Sequence, residues 1–306
     1  MNILSVSSRI KSLEKHFLRA DRIEKLVLSR DFNEFSTILE KSPYEIPNNI
    51  KTIETLTELF NNKKTILIEE SKKNLPIPLY QYFVLKYDYH NLNIVANGKN
   101  ENFSDYSIVN YKILQASFKT NNHKNIPAFL KPALSILNKL KDKSFEEISL
   151  SLKQSYYEVA GLLLKTQKSS MINYFLQIEI DFSNISLFMH KRLTGKHLEQ
   201  ENFIDGGNIK KEHFLKEEVL WKTVKNVYKN IDVPIEIDIF DRERFKVLMG
   251  YLSRVRIVPY GMEPLFFYFL ARDIELENVK RIAIGKFYNI EPQILSEWGA
   301  FPYQYV

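Results

Sequence analysis

GMEPLFFYFLARDIELENVKRIAIGK, residues 261–286, is the stretch that decides the fold. Pro264 stands where the first turn of a helix tolerates a missing N–H, and Gly285 stands where a helix is expected to stop. Between them, apolar residues recur at steps of three and four, which places them on two helical stripes. A helix with this much apolar surface lies between other helices. The stretch therefore predicts a buried helix that carries one polar residue, Asn278, inside an apolar stripe.

The same combination of residues occurs at two earlier places in the chain. Each copy has a Tyr-Phe pair, an acidic residue, an asparagine three positions after the acid, and a later Gly-Lys pair. The residues of this repeated pattern are Asp88, Asn91, Gly98, Asp181, Asn184, Gly195, Glu275, Asn278 and Gly285. We interpret the pattern as a threefold internal repeat. It predicts three similar helical lobes, over residues 1–117, 118–207 and 208–306.

The interval from asparagine to glycine differs between the copies. It is seven residues in the first and third copies and eleven in the second, which predicts that the second helix is longer by about one turn. Each asparagine has apolar residues four positions before and after it, so we expect its side chain to be buried. A buried amide needs hydrogen-bond partners, and the acid three positions earlier lies within reach. The pattern therefore favours a structural role over a catalytic or Mg²⁺-binding one.

Composition favours an all-α protein. The 306 residues include only 9 glycines and 11 prolines, few helix breakers for this length. Cysteine is absent, which excludes disulfides and thiolate metal sites. No apolar run approaches the roughly 18 residues of a membrane span, and the first residues become charged too soon for a signal peptide. The net charge of +6 is dispersed, so it is compatible with an acidic partner, an anionic membrane surface or a solvated surface.

Motifs for catalysis and ligand binding are not found. The Gly-Lys pairs lack the spacing and the following Ser or Thr of a phosphate-binding loop. The six histidines do not form a zinc-binding pattern, and the short basic clusters are not interleaved with aromatic residues as in single-strand binders. We therefore predict no catalytic residue, no metal, no cofactor, no small-molecule substrate and no nucleic-acid partner.

Three local predictions concern elements outside the repeat. The helix that begins near residue 49 is predicted to end at Asn61-Asn62-Lys63-Lys64. Ser104 and Asp105 are predicted to cap a short helix over 106–118. The segment DVPIEIDIF, residues 232–240, alternates between polar and apolar residues, which predicts a strand.

Four patches of the sequence carry a resemblance to a known family. They are Gly261-x-Glu263-Pro264-Leu265 with the acid, asparagine and Gly-Lys that follow; Tyr87-Asp88-x-His90-Asn91-Leu92; Asp181-x-x-Asn184-Ile185; and Gly206-Gly207. With these patches the chain resembles the C subunit of bacterial and archaeal V/A-type ATPases, whose eukaryotic counterpart is the d subunit of the V-ATPase.

The resemblance implies an architecture and a function. It implies three lobes in a funnel-like, pseudo-threefold arrangement, and a non-catalytic rotor subunit that joins the central shaft, subunits D and F, to the membrane proteolipid ring. The protein would then be a peripheral subunit at the cytoplasmic face of the membrane, present as one copy in a hetero-oligomeric complex. The residues alone leave two alternatives open: a helical scaffold for nucleic acid or an anionic membrane surface, and a helical enzyme with its site on the acid–asparagine helices.

Overall fold

The computed structural model describes residues 13–47, 50–140, 144–229, 231–237, 239–255, 257–258 and 261–297, without the side chain of Ala20. Within these ranges all regular secondary structure is helical and no strand occurs, so the all-α prediction is confirmed. No helix in the described part of the chain is both long enough and apolar enough to cross a membrane.

Twelve α-helices lie in the described ranges, and four short 3₁₀ helices lie between or before them. The α-helices are α1 (Ala20–Leu28), α2 (Phe32–Ile38), α3 (Ile53–Asn74), α4 (Ile77–Ala96), α5 (Tyr111–Thr120), α6 (Lys131–Lys139), α7 (Phe145–Lys165), α8 (Ser170–Leu193), α9 (Glu217–Val227), α10 (Phe240–Val255), α11 (Met262–Phe287) and α12 (Pro292–Glu297). The 3₁₀ helices are Glu14–His16, Ala128–Leu130, Gln200–Asn202 and Lys211–Leu215. The three asparagine-bearing helices are α4, α8 and α11.

The chain forms two compact units. One is Pro76–Thr223, and the other combines Met1–Leu75 with Val224–Val306. The first two asparagine helices, α4 and α8, belong to the former unit, and the third, α11, belongs to the latter. The division into three lobes stays a prediction.

In the unit Pro76–Thr223, α7 packs against α4, α6 and α8, and α5 packs against α4. The hydroxyl groups of Tyr89 on α4 and Ser155 on α7 form a buried hydrogen bond of 2.8 Å. Helix α7 begins with a capping box, in which Ser144 and Glu147 each bind the other's backbone N–H, and this agrees with their spacing in the sequence. Apolar packing and a well-capped central helix hold α4 and α8 in this unit.

In the other unit, α11 packs against α2, α3 and α10. Lys64 on α3 is 4% exposed and forms a buried ion pair with Asp273 on α11. The predicted end of this helix at residues 61–64 is therefore wrong. Helix α3 continues to Asn74 because Lys64 faces a partner in the core rather than solvent.

Two further local predictions are corrected by the structure. The described residues of segment 232–240 form bends, a turn and the start of α10 rather than a strand, and Asp238 lies outside the described residues. Pro234 has no N–H to offer to a neighbouring strand. Helix α5 begins at Tyr111 and is capped by Asn110, whose Oδ1 accepts the N–H of Lys112. Ser104 and Asp105 do not cap the helix because it begins six residues after Asp105. The backbone of Ser104 instead binds Asn91 of α4.

Two of the three asparagine helices end at the glycine that the sequence predicted, and the third does not. Gly98 and Gly195 follow α4 and α8 with φ of +66° and +65°, the left-handed conformation that ends many helices. Gly285, in contrast, lies inside α11, so its predicted role as a helix stop is wrong. The residue in the left-handed conformation after α11 is Asn289, with φ of +54°. Asparagine tolerates this conformation. The left-handed residue is thus Asn289 instead of Gly285, and α11 is about one turn longer than predicted.

Candidate functional site

The first acid–asparagine pair binds the loop that precedes α5. The carboxylate of Asp88 accepts the backbone N–H groups of Ile108 and Val109, at 3.1 and 3.0 Å. The amide of Asn91 donates to the carbonyl of Ser104 at 2.9 Å and accepts the Ser104 N–H at 2.8 Å. Both side chains are completely buried. We call the acid, the asparagine and the backbone groups that they bind a clasp.

The second pair forms the same clasp. Asp181 accepts the N–H groups of Asn208 and Ile209 at 2.9 and 3.0 Å. Asn184 donates to the carbonyl of Ile204 at 2.9 Å and accepts its N–H at 2.8 Å. In both clasps, the loop residue that binds the asparagine lies four positions before the first residue that binds the acid. The first two copies of the sequence pattern therefore have the same three-dimensional arrangement.

The glycine pair after α8 has a physical explanation in this clasp. Gly206 has φ of +96°, and a Cβ atom at Gly207 would overlap Oδ1 of Asp181. The backbone approaches the carboxylate so closely that only glycine fits at the second position. This glycine pair is the one signal in the sequence that points to the loop which Asp181 binds.

The third acid binds residues from the other end of the chain. Oε1 of Glu275 accepts the N–H of Leu18 at 2.7 Å, across 257 positions of sequence. Its Oε2 accepts the hydroxyl of Tyr44 and, at 3.2 Å, Nη1 of Arg272. Glu275 is completely buried and Asn278 is 2% exposed. Leu18 lies two residues before α1, as Val109 lies two residues before α5, so Glu275 and Asp88 each bind the N–H of a residue at the same distance from the next helix.

Burial changes the acidity of two of these carboxyl groups. It raises the pKa of Asp88 to about 6, although the N–H groups of Val109 and Ile108 partly oppose the shift. It raises the pKa of Glu275 to about 7, opposed by Arg272, by the Tyr44 hydroxyl and by the Leu18 N–H. The energetic cost of burying a carboxylate is thus only partly offset by its partners.

The structure agrees with part of the sequence analysis of these residues. Asn91, Asn184 and Asn278 are buried, as their apolar neighbours indicated. We expected the acid as the local partner of the asparagine amide, whereas the amides of Asn91 and Asn184 bind loop backbone. The sequence did not predict those backbone partners. It also did not predict Tyr44 and Arg272 as partners in the third copy. Backbone N–H and C=O groups are present at every position and give no sequence signal.

The clasps fix loops to helices, and their oxygens are enclosed by protein donors. Among the described residues there is no group of three or more His, Asp or Glu side chains placed to hold a metal ion. The clasps therefore resemble structural supports more than a reaction centre. The fold and these sites define an all-helical protein in which a repeated clasp binds loops to helices.

Comparison with known proteins places this helical protein in a family. Residues 6–297 match the family model of the ATP synthase (C/AC39) subunit. The chain belongs to this family, and it is accordingly a subunit of a V/A-type ATP synthase or ATPase. No curated protein matches the chain significantly.

Proposed function

We propose that this protein is the non-catalytic rotor subunit that couples the central shaft, subunits D and F, to the membrane proteolipid ring. In this role it turns with the shaft and links ATP turnover to ion transport at the cytoplasmic face of the membrane. The observation that carries the proposal is the family match, because it extends over residues 6–297 and leaves only short ends unmatched.

The packing inside each unit suits a part that transmits torque. A coupler must resist deformation, so its loops need to be fixed to its helices. The clasps do this with buried, charge-assisted hydrogen bonds, which are among the stronger ones in proteins. In the unit that contains α11, the buried pair of Lys64 and Asp273 also joins α3 to α11.

The repeated clasp motivates the proposed architecture. Three copies of one sequence motif, two of which form the same clasp, suit three similar lobes around a central socket, with the boundaries 1–117, 118–207 and 208–306. A socket that receives the tip of another protein has to stay hydrated before assembly, so its lining should be polar and charged. The lobes and the socket are proposals that rest on the repeat and on the family.

Binding to the shaft in solution tests this function. The purified protein, mixed with subunits D and F, should elute with them as one complex in size-exclusion chromatography, and alone it should elute as a monomer without ATPase activity. A control with the shaft omitted and DNA added should show no complex. Failure to bind the shaft would contradict the proposal, and salt-dependent binding to DNA of any sequence would favour a nucleic-acid scaffold instead.

A further inference from the structure

A cavity of about 300 Å³ lies in the unit that contains α3 and α11. Its walls come from four parts of that unit: the residues before α1, the turn at Pro43 and Tyr44, α3, and α11. This volume is at the lower end of the range for small-molecule sites. The clasps and the family match assign no role to this cavity.

One wall of the cavity presents a fixed guanidinium group. The side chain of Arg272 is 15% exposed, and its Nη1 donates to the Tyr44 hydroxyl at 2.6 Å and to Glu275 at 3.2 Å. The guanidinium also lies over the rings of Tyr44 and Phe17, with 4.7 and 5.5 Å to their centroids. Within the described residues, Nε and Nη2 of Arg272 have no hydrogen-bond partner. These donors form the planar edge with which arginine binds a carboxylate or a phosphate.

A second cation lies on the same cavity. Nζ of Lys63 donates to the carbonyl of Pro43 at 3.0 Å, and among the described residues it has no carboxylate in ion-pair range. Burial lowers the pKa of Lys63, Glu45 opposes this shift, and the positive charge of Arg272 adds to it. Lys63 and Arg272 therefore repel each other, and an anion bound to both would remove the repulsion.

The other lining residues limit the kind of anion. The ring of Tyr268 and the side chain of Ile66, which is 58% exposed, supply apolar surface on the lining. His16 and Glu70 lie at the exposed part of the cavity. Glu70 is the one carboxylate among the described lining residues, and it disfavours ligands with more than one anionic group. A single anionic group on a compact apolar body fits these surroundings best.

We propose that this cavity binds a small anion that has one carboxylate or phosphate group on a compact aromatic or apolar body. The anionic group lies against Nε and Nη2 of Arg272 and Nζ of Lys63, and the body lies against Tyr268 and Ile66. The bound anion contacts α11 together with the segment before α1, so it stabilises this unit. The proposal does not depend on the coupling function.

Calorimetric titration of the full-length protein tests the site. The probes are benzoate and phenyl phosphate, with benzyl alcohol as the neutral counterpart; the comparison of the first two shows which anionic group is preferred. Lys63→Gln removes one cation of the site but only one hydrogen bond of the fold. Lys72→Gln, an exposed position on the same helix, makes the same change of charge outside the cavity.

We expect saturable binding of at least one anionic probe by the wild-type protein and by Lys72→Gln. Binding by Lys63→Gln should be weaker by about tenfold or more, the effect of losing one charge-assisted hydrogen bond. Three results would each overturn the proposal: no saturable binding of either anion, equal affinity in the Lys63 and Lys72 variants, or equally tight binding of benzyl alcohol.

Discussion

The backbone N–H of Leu18 donates to the carboxylate of Glu275 at 2.7 Å, although the two residues are 257 positions apart. This bond joins the segment before α1 to the last asparagine helix. In the two clasps the acid binds a loop that follows its own helix, whereas Glu275 binds a segment that precedes all three asparagine helices. The acid of the third copy is therefore bound by the N-terminal part of the chain.

The raised pKa of Glu275 predicts a pH-dependent stability. The folded protein binds this proton with a pKa of about 7, against 4.5 for an unperturbed glutamate. A group with a raised pKa stabilises the folded protein fully at pH values below its pKa in the unfolded chain. This stabilisation is lost as the pH rises through its pKa in the folded protein. We expect the unfolding free energy to fall by up to about 3 kcal/mol from this group over that interval.

Urea unfolding at several pH values measures this effect. Glu275→Gln cannot titrate at this position, so its unfolding free energy should depend less on pH than that of the wild type. The matched control is Glu69→Gln, an exposed position on α3, which should keep the wild-type dependence. Parallel pH profiles for the wild type and Glu275→Gln would show that Glu275 does not titrate as described.

The clasp at Asn184 predicts that a side chain of similar volume does not restore stability if it lacks the amide group. Leucine refills the space that alanine leaves empty, but both leave the N–H and the carbonyl of Ile204 without their partner. We expect Asn184→Leu and Asn184→Ala each to lower the unfolding free energy by about 1–3 kcal/mol. Asn173 is exposed on the same helix, and the same substitutions there should have little effect. Neutral substitutions at Asn184 would contradict the clasp.

The clasps also predict slow exchange of loop amides that lie outside any helix. The N–H groups of Leu18, Val109 and Ile209 each point to a buried carboxylate. They should therefore be protected from hydrogen exchange to a similar degree as amides inside α4. The amide of Asn100, in an exposed loop, should exchange rapidly. Rapid exchange at Leu18 together with protection at Val109 and Ile209 would contradict only the hydrogen bond of Leu18 to Glu275.

The helix ends predict different effects of two substitutions on stability. Gly195 has φ of +65°, a conformation that is costly for alanine, so Gly195→Ala should destabilise the protein by about 1 kcal/mol. Asn289 has φ of +54°, so Asn289→Gly should be neutral or slightly stabilising. Thermal unfolding of both variants measures this. A clear loss of stability in Asn289→Gly would mean that α11 does not end there.

Periodicity in the sequence predicted the long helices and the burial of their asparagines. Both depend on the three- and four-residue spacing of apolar side chains, which is visible in one sequence. The sequence predicted the end of α11 one turn too early because Gly285, like Gly98 and Gly195, stands in the Gly-Lys pair of the repeated pattern. Asn289, which takes the left-handed conformation instead, is not distinguishable from other surface asparagines by its neighbours.

Contacts between distant parts of the chain could not be predicted in this way. The length of α3 depends on the ion pair of Lys64 with Asp273, and the surroundings of Glu275 depend on Leu18 and Tyr44. Lysine at position 64 looks like part of a polar, helix-ending cluster until its partner on α11 is known. The periodicity of one sequence does not identify which distant residues meet.

Reconstitution tests the central claim, the coupling of shaft and ring, most directly. Proteoliposomes with the complete ATPase are compared with proteoliposomes that lack only this protein, and ATP hydrolysis and ion uptake are measured in the same preparation. We predict that hydrolysis by the soluble head persists without it while ion uptake is abolished, and that adding the purified protein back restores uptake. Ion uptake at the rate of the complete enzyme in its absence would contradict the coupling function.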